Sequence, residues 1–255
     1  MLSANTIKFI RSLQQKKQRK LSGLFVAEGH RLVSDLLASS LKFESIYYTN
    51  GWLPDHYDLD NRFVEVSPKD MSRISGLTTP TPVLALGQIP TSQLNINQLA
   101  SKLVLALDSI QDPGNMGTII RLADWFGIKQ IVCSPDSADA FAPKVVQSTM
   151  GAIARVSIHY TNLSEYIASA KAANISIYGT FLEGDNIYTQ NLDSSGVIVL
   201  GNEGKGISKG IEALVSKRIT IPSFCIDENT SESLNVAMAT AIVCSEFRRR
   251  TIQHP

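Results

Sequence analysis

The sequence has little cysteine: Cys133, Cys225 and Cys244 are the only three, and none forms a CxxC pair. An odd, widely spaced set excludes a disulfide scaffold and fits a reducing cytoplasm. Histidine is scarce too. His30, His56, His159 and His254 show no metal-ligand spacing, so we expect no bound metal. There is no HExxH and no Ser-His-Asp pattern, which argues against hydrolysis. No apolar run reaches the ~20 residues needed to cross a bilayer, so no membrane partner is expected. The N-terminus, MLSANTIKFIRSLQQKKQRK, lacks the apolar centre of a secretory leader. Net charge is almost absent, at +1. What is present is core material. Hydrophobic residues make up 44% and charged residues 18%, which excludes a disordered chain and leaves room for one large domain or two small ones.

The near-neutral total hides an uneven distribution. Residues 1–20 carry Lys8, Arg11, Lys16, Lys17, Arg19 and Lys20 with no acid, so the remainder is net acidic. A basic arm on an acidic body is an electrostatic footprint for phosphate. A solvated first helix would have the same composition.

Alternation of apolar runs with helical periodicity organises the chain. Helices are expected at 3–19 and 28–39, with strands at 24–27, 43–49, 62–66 and 83–88. Ser67 is a helix cap followed by Pro68, with Asp70 at the third position. The polar, proline-bearing stretch 89–102 reads as a linker, dividing the chain into domains 1–92 and 100–255. Beyond it, apolar runs at 103–107, 130–133, 175–178, 197–200 and 218–221 alternate with helical segments at 116–126, 143–150, 163–173, 207–215 and 231–250. That pattern predicts an α/β domain with a mostly parallel sheet covered on both faces. The aromatics Trp125, Phe126 and Phe141 are expected in the core rather than as base-stacking platforms, and His30 and His159 in structural roles.

Three polar constellations interrupt the second domain. Asp108-Ser-Ile-Gln-Asp-Pro-Gly-Asn115-Met-Gly117-Thr-Ile-Ile-Arg121 joins a buried strand to a helix, at the carboxyl end where open α/β sheets bind ligands. A plain helix start with a solvent-facing arginine would look the same. Gly201-Asn-Glu203-Gly-Lys-Gly206-Ile-Ser follows another buried strand. Its GxxGxG spacing is neither the dinucleotide fingerprint nor a Walker loop, and Glu203 would repel phosphate but suit a hydroxyl, an amine or a cation. A simple turn is the alternative. Thr230-Ser-Glu-Ser233-Leu-Asn235 opens the last helix. Asn229 or Thr230 can cap it, Asn229 and Glu232 having capping-box spacing, which leaves Ser233 and Asn235 in the first turn to face a ligand. The rest of that helix is apolar nearly all round, so it is buried or shared with a second subunit.

In this order and spacing the three constellations resemble the SpoU (TrmH) family of RNA ribose 2′-O-methyltransferases, of the SPOUT superfamily. The first reads Asn115-x-Gly117-x-x-x-Arg121, the second Leu200-Gly-Asn-Glu203-Gly-x-Gly206, and the third Ile221-Pro222 followed by Ser233-Leu-Asn235. Phe25-Val-Ala-Glu28-Gly29-x-Arg31-Leu-Val is similar, over a shorter stretch, to the ribosomal-protein-like RNA-binding domain that precedes many members. The resemblance implies a small α/β RNA-binding domain followed by an α/β methyltransferase domain with a trefoil knot, a rarity among folds. It implies S-adenosylmethionine as cofactor, held by Thr180, Leu200, Gly201, Ile221 and Leu234. It also implies a homodimer through the C-terminal domain, and catalysis by Asn115, Arg121, Glu203, Ser233 and Asn235. Lys16, Lys17, Arg19, Lys20 and Arg31 are the candidate RNA contacts, with ribosomal RNA favoured over transfer RNA.

The reaction implied is in-line attack of a ribose 2′-hydroxyl on a sulfonium methyl. A guanidinium is a poor base because it keeps its proton in proteins. Arg121 is therefore expected to hold an RNA phosphate and stabilise the developing alkoxide, the proton passing to a phosphate oxygen or water. Asn115 and Asn235 would orient the ribose or Arg121. Glu203 would pair with Arg121 or bind the ribose or cofactor, and Ser233 would hydrogen-bond near the path of the methyl. The competing readings are a transfer-RNA methyltransferase, a non-catalytic RNA-binding protein of the same fold, and a nicotinamide enzyme, the last disfavoured by its glycine spacing.

Overall fold

The computed structural model describes residues 1–52, 60–91, 94, 101–224 and 233–252. They fall into two units: 1–91 with 139–155, and 92–138 with 156–255.

The first unit opens with two helices where one was expected. α1 (Ala4–Ser12) is capped by the Ser3 hydroxyl, which accepts from Thr6 N–H. The chain then turns and restarts as α2 (Lys16–Ser22), which ends on Gly23 in the left-handed conformation. The break has an identifiable anchor. Arg19 is only 3% exposed. Its guanidinium donates to the carbonyls of Leu13 (2.7 Å) and Gln14 (2.9 Å), groups that a helix end leaves without partners. The same guanidinium pairs with Asp139 at 2.5 Å. Arg19 is therefore internal, and its place among the RNA-contact candidates is corrected. Lys16, Lys17, Lys20 and Arg31 are exposed. We expect Arg19→Ala to lower unfolding stability by about 3 kcal/mol, because it strands a carboxylate and two carbonyls. Chemical denaturation checks this, and an unchanged midpoint would refute it.

β1 (Leu24–Glu28), α3 (His30–Leu37), β2 (Phe43–Tyr48), β3 (Phe63–Glu65), α4 (Pro68–Ile74) and β4 (Val83–Gln88) complete the run to residue 88. The sheet order is β1-β4-β2-β3, with β3 parallel to β2 and the other pairs antiparallel. Ser67 caps α4 as expected, accepting from Asp70 N–H. The core gathers Ile10, Leu13, Val26, Met71, Ile74, Leu84 and Leu86. Helix α6 (Pro143–Thr149) belongs to this unit and lies against β1, where Phe141 meets Phe25 with ring centroids 5.3 Å apart.

The second unit is a six-stranded, fully parallel sheet. Its strands are β5 (Leu103–Leu107), β6 (Gln130–Cys133), β7 (Ser157–Tyr160), β8 (Ile177–Asn186), β9 (Gly196–Leu200) and β10 (Lys217–Thr220), in the order β10-β8-β9-β5-β6-β7. β5 and β9 are buried along their whole length, as their apolar runs require. β7 was not anticipated. Ser-Ile-His-Tyr is an edge strand with no apolar run to announce it. β8 is longer than expected and departs from its register with β10. Gly179 pairs Arg218 but Asp185 pairs Ile219, so residues 180–184 bulge out of the ladder. The helices α5 (Pro113–Trp125), α7 (Leu163–Ala172), α8 (Lys209–Glu212) and α9 (Val236–Ile252) connect and close the sheet. α5 packs on α9.

Two further expectations change. Phe141 is buried and Phe126 half-buried, but Trp125 is 83% exposed and no part of the core. α9 begins at Val236 rather than near 231, and its side bearing Met238 is open. The alternative caps Asn229, Thr230 and Glu232 lie outside the described residues. Among the described residues no helix is long and apolar enough to cross a membrane, and no cluster could hold a metal ion.

Candidate active site

Parallel strands deliver their carboxyl ends to one edge of the sheet, and the first two constellations start there, after β5 and β9. Asp112 caps α5 by accepting from Asn115 N–H at 2.7 Å, and Pro113 takes the first helical position. The helix thus begins three residues earlier than its apolar periodicity suggests, which fixes Asn115 in the first turn.

The loop after β9 is a miniature hairpin. Asn202 and Gly206 exchange backbone hydrogen bonds of 3.0 and 2.9 Å, with Glu203 near the tip. Asn202 holds it together: its Oδ1 accepts from Gly204 N–H and Lys205 N–H, both at 3.0 Å, and its Nδ2 donates to Ser109 O at 2.8 Å. The buried Asp108 carboxylate accepts from Ser208 N–H at 2.7 Å and ties down the far end. Ser109 itself has φ +59°, uncommon for a serine. Its amide donates to Ser134 and its hydroxyl to Asp136. The loops after β5, β6 and β9 are therefore cross-braced. Asp108 and Asn202 are residues the sequence reading did not single out. The available signal was an acid closing a wholly apolar strand, and an amide inside a glycine loop.

The helix-opening expectation for Asn235 is also corrected. Asn235 is itself the cap of α9, its Oδ1 accepting from Ala237 N–H (2.9 Å) and Met238 N–H (3.3 Å). That fixes the amide's orientation, since an oxygen turned to the helix leaves Nδ2 facing away. Nδ2 donates to Asn115 Oδ1 at 3.0 Å, so Asn115 Nδ2 must turn outward, and it donates to Glu203 Oε1 at 2.8 Å. A relay of two amides, oriented by a helix terminus, ends on a carboxylate whose Oε2 has no partner among the described residues.

Arg121 and Ser233 stay outside this relay. Both are exposed, and neither makes a hydrogen bond or ion pair among the described residues. Arg121 is six residues beyond Asn115 on α5, about 9 Å along the axis and about 120° around it. Glu203 pairs with Asn115 and not with Arg121. The cofactor candidates lie at strand ends, in the β8 bulge and directly before Asn235. Leu200 ends β9, with Gly201 directly after it, and Ile221 follows β10. Thr180 is in the β8 bulge, its hydroxyl donating to Val199 O at 3.1 Å. Leu234, directly before Asn235, is 53% exposed. Apart from the Thr180 hydroxyl, these positions offer aliphatic side chains and backbone, none of them charged. Burial pushes the Cys244 thiol up to about 12 and the Cys133 thiol higher still, so neither can act as a nucleophile near neutrality.

The sequence profile of the SpoU rRNA Methylase family matches residues 102–245. The chain belongs to that family. Residues 4–85 match the MRM3-like substrate binding domain, so the two halves are a substrate-binding domain and a SpoU α/β methyltransferase domain. With SPOUT membership comes the trefoil knot, although residues 225–232 of its expected threading segment lie outside the described residues. Similarity extends over the whole chain. The 23S rRNA (guanosine(2553)-2′-O)-methyltransferase RlmP of Bacillus subtilis is 30% identical over 244 residues, 95% of each chain. A solved TrmH-family protein from Porphyromonas gingivalis is 42% identical, with a TM-score of 0.87 over 98% of this chain and 99% of that one. The AdoMet-bound rRNA methyltransferase of Sinorhizobium meliloti is 30% identical, with a TM-score of 0.82 over 98% of this chain and 96% of the other.

Proposed function

We propose that this SpoU-family chain transfers a methyl group from S-adenosylmethionine to a ribose 2′-hydroxyl of ribosomal RNA. The observation that carries the reading is the oriented relay Asn235–Asn115–Glu203, assembled from three separate motifs at the carboxyl edge of the sheet. Thr180, Leu200, Gly201, Ile221 and Leu234 would hold the cofactor, their uncharged surface suiting an adenine and a thioether stem. When bound, it supplies an electrophilic methyl on a sulfonium.

The chain's own residues do the positioning, which can contribute on the order of 7–11 kcal/mol. Glu203 Oε2 accepts a hydrogen bond from the ribose and orients its hydroxyl. Asn115 and Asn235 keep that carboxylate from rotating. Arg121, exposed and without a partner among the described residues, takes an RNA phosphate and stabilises negative charge as the hydroxyl loses its proton to a phosphate oxygen or water. Ser233 would hydrogen-bond near the path of the methyl. Domain 1–92 contributes Lys16, Lys17, Lys20 and Arg31 to phosphate contacts, and domain 100–255 carries the chemistry. The preference for ribosomal RNA rests on the rRNA-modifying relatives. We further propose a cytoplasmic homodimer, with the open side of α9 around Met238 against a second copy.

The test is transfer of labelled methyl from S-adenosylmethionine to cellular RNA. Arg121→Ala should lower the rate about 100-fold while keeping most RNA affinity. Arg121→Lys keeps the charge but loses the fork, and should rescue only in part. Near-full rescue with a lowered pH optimum would make the residue a titrating base instead. Absence of transfer to any cellular RNA would favour a binding module. Mapping 2′-O-methyl positions with and without the protein then separates ribosomal from transfer RNA.

A further inference from the structure

Among the described residues, three that are not glycine have positive φ: Ser109, Met150 and Asn174. Met150 closes α6 and Asn174 follows the end of α7, places where a left-handed residue commonly stops a helix. Ser109 ends no helix. It stands between β5 and α5 with φ +59°, a conformation that crowds Cβ against the following carbonyl. Such a conformation persists only where its surroundings over-determine it.

Ser109 is held from two sides. On the side of the loop after β6, its N–H donates to Ser134 Oγ at 2.8 Å and its hydroxyl donates to Asp136 Oδ2. Ile110 continues the seam, its N–H donating to Ser137 Oγ at 3.2 Å and its carbonyl accepting from Ala138 N–H at 2.7 Å. On the side of the loop after β9, the Ser109 carbonyl accepts from Asn202 Nδ2 at 2.8 Å. Asp108 grips the same segment at both ends: its N–H donates to Leu200 O at 2.9 Å, and its Oδ2 accepts from Ser208 N–H. Between those ends, Asn202 Oδ1 accepts from the Gly204 and Lys205 amides, which directly follow Glu203. The two ends of one planar amide move together, so the acceptor that draws Nδ2 also decides where Oδ1 can hold the hairpin tip.

We propose that Ser109 is a positioning residue for methyl transfer: its left-handed backbone aims its carbonyl at Asn202 and so sets the hairpin that presents Glu203. The proposal rests on the methyltransferase reading for the reaction that Glu203 serves. The Ser109 hydroxyl is secondary, holding the conformation through Asp136. What matters at 109 is then backbone freedom. Glycine enters the left-handed region without cost to a side chain, whereas a β-branched residue is excluded from it.

Two measurements on the full chain test this: methyl transfer to RNA at saturating S-adenosylmethionine, and hydrogen exchange at the Gly204 and Lys205 amides by NMR. Ser109→Val should lower kcat about 100-fold, as expected when a reacting group shifts by about 1 Å, with the KM for RNA within about threefold of the parent. Ser109→Gly keeps the conformation and loses the hydroxyl, so kcat should fall only about fivefold. The two amides should exchange about tenfold faster in Ser109→Val than in Ser109→Gly. With Asn202→Ala already present, Ser109→Val should slow transfer by less than about twofold more, because the link it breaks is gone, whereas independent effects multiply. Parental kcat in Ser109→Val overturns the proposal, and so do multiplying effects in the double variant. Ser109→Gly as slow as Ser109→Val also overturns it, by making the hydroxyl the active part. If Ser109→Val does not fold, Ser109→Ala gives the same comparison with the smallest Cβ. Faster exchange in a family of chains that transfers no methyl, the parent included, upholds the setting of the hairpin and overturns the reaction.

Discussion

Asn115→Asp should lower methyl transfer about a thousandfold and leave the fold intact. The substitution is nearly isosteric, and the Asp112 cap binds the backbone N–H at 115, which any side chain preserves. What changes is one donor. Asn115 Nδ2 lies 2.8 Å from Glu203 Oε1, so an aspartate there sets two acceptors against each other. Either the carboxylates part or one takes up a proton. Both outcomes release Glu203 from the orientation in which Oε2 would face the proposed ribose. Loss of one preorganised donor costs 10²–10³ in rate where charge develops, and misplacing the group that orients the nucleophile adds to it. Thermal unfolding of the variant should match the parent within about 1 °C. A rate within tenfold of the parent would show that the relay is not used in the reaction.

Gly201→Ala should abolish measurable transfer and also destabilise the chain. A Cβ at 201 would come 2.3 Å from Gly206 C and from Ile207 N, and both are backbone atoms that no rotamer change can move away. The hairpin joining Asn202 to Gly206 would have to open, taking Glu203 with it. Overpacking of this kind costs on the order of 1–3 kcal/mol. Gly204→Ala is the internal control. Its nearest neighbour would be Asn202 Oδ1 at 3.8 Å, an ordinary contact, so it should fold and keep its cofactor affinity. Methyl incorporation and thermal unfolding on the two variants decide the point. Equal behaviour would mean that the loop adapts and that Gly201 is not the hinge of the site.

Strands and helices were legible wherever a local pattern stated them. The apolar runs at 103–107 and 197–200 are β5 and β9 within a residue, and Ser67-Pro68 opens α4 as its chemistry requires. Misses came where the local signal was mute. β7 is an edge strand without an apolar run. Trp125 belongs to an apolar-looking stretch, yet it is two residues past Ala123 and so about 200° around the helix from the buried arc. Helical arithmetic could have placed it outside. Asn235 was expected in the first turn because two better-looking caps precede it, and only the amide hydrogen bonds to Ala237 and Met238 identify the true cap.

The sequence by itself determined the family and the reaction class, because motif spacing and hydrophobic periodicity are local properties. Tertiary structure alone decided which polar group meets which. Glu203 meets Asn115 across 88 residues, Asn235 meets Asn115 across 120, and Arg19 finds Asp139 across 120. A hydrogen bond acts over about 3 Å and is directional, so its partner is fixed only when the sheet has closed and brought distant loops to one edge. For that reason Arg19 and Arg121, alike as charges in the sequence, end as a buried brace and an open cation.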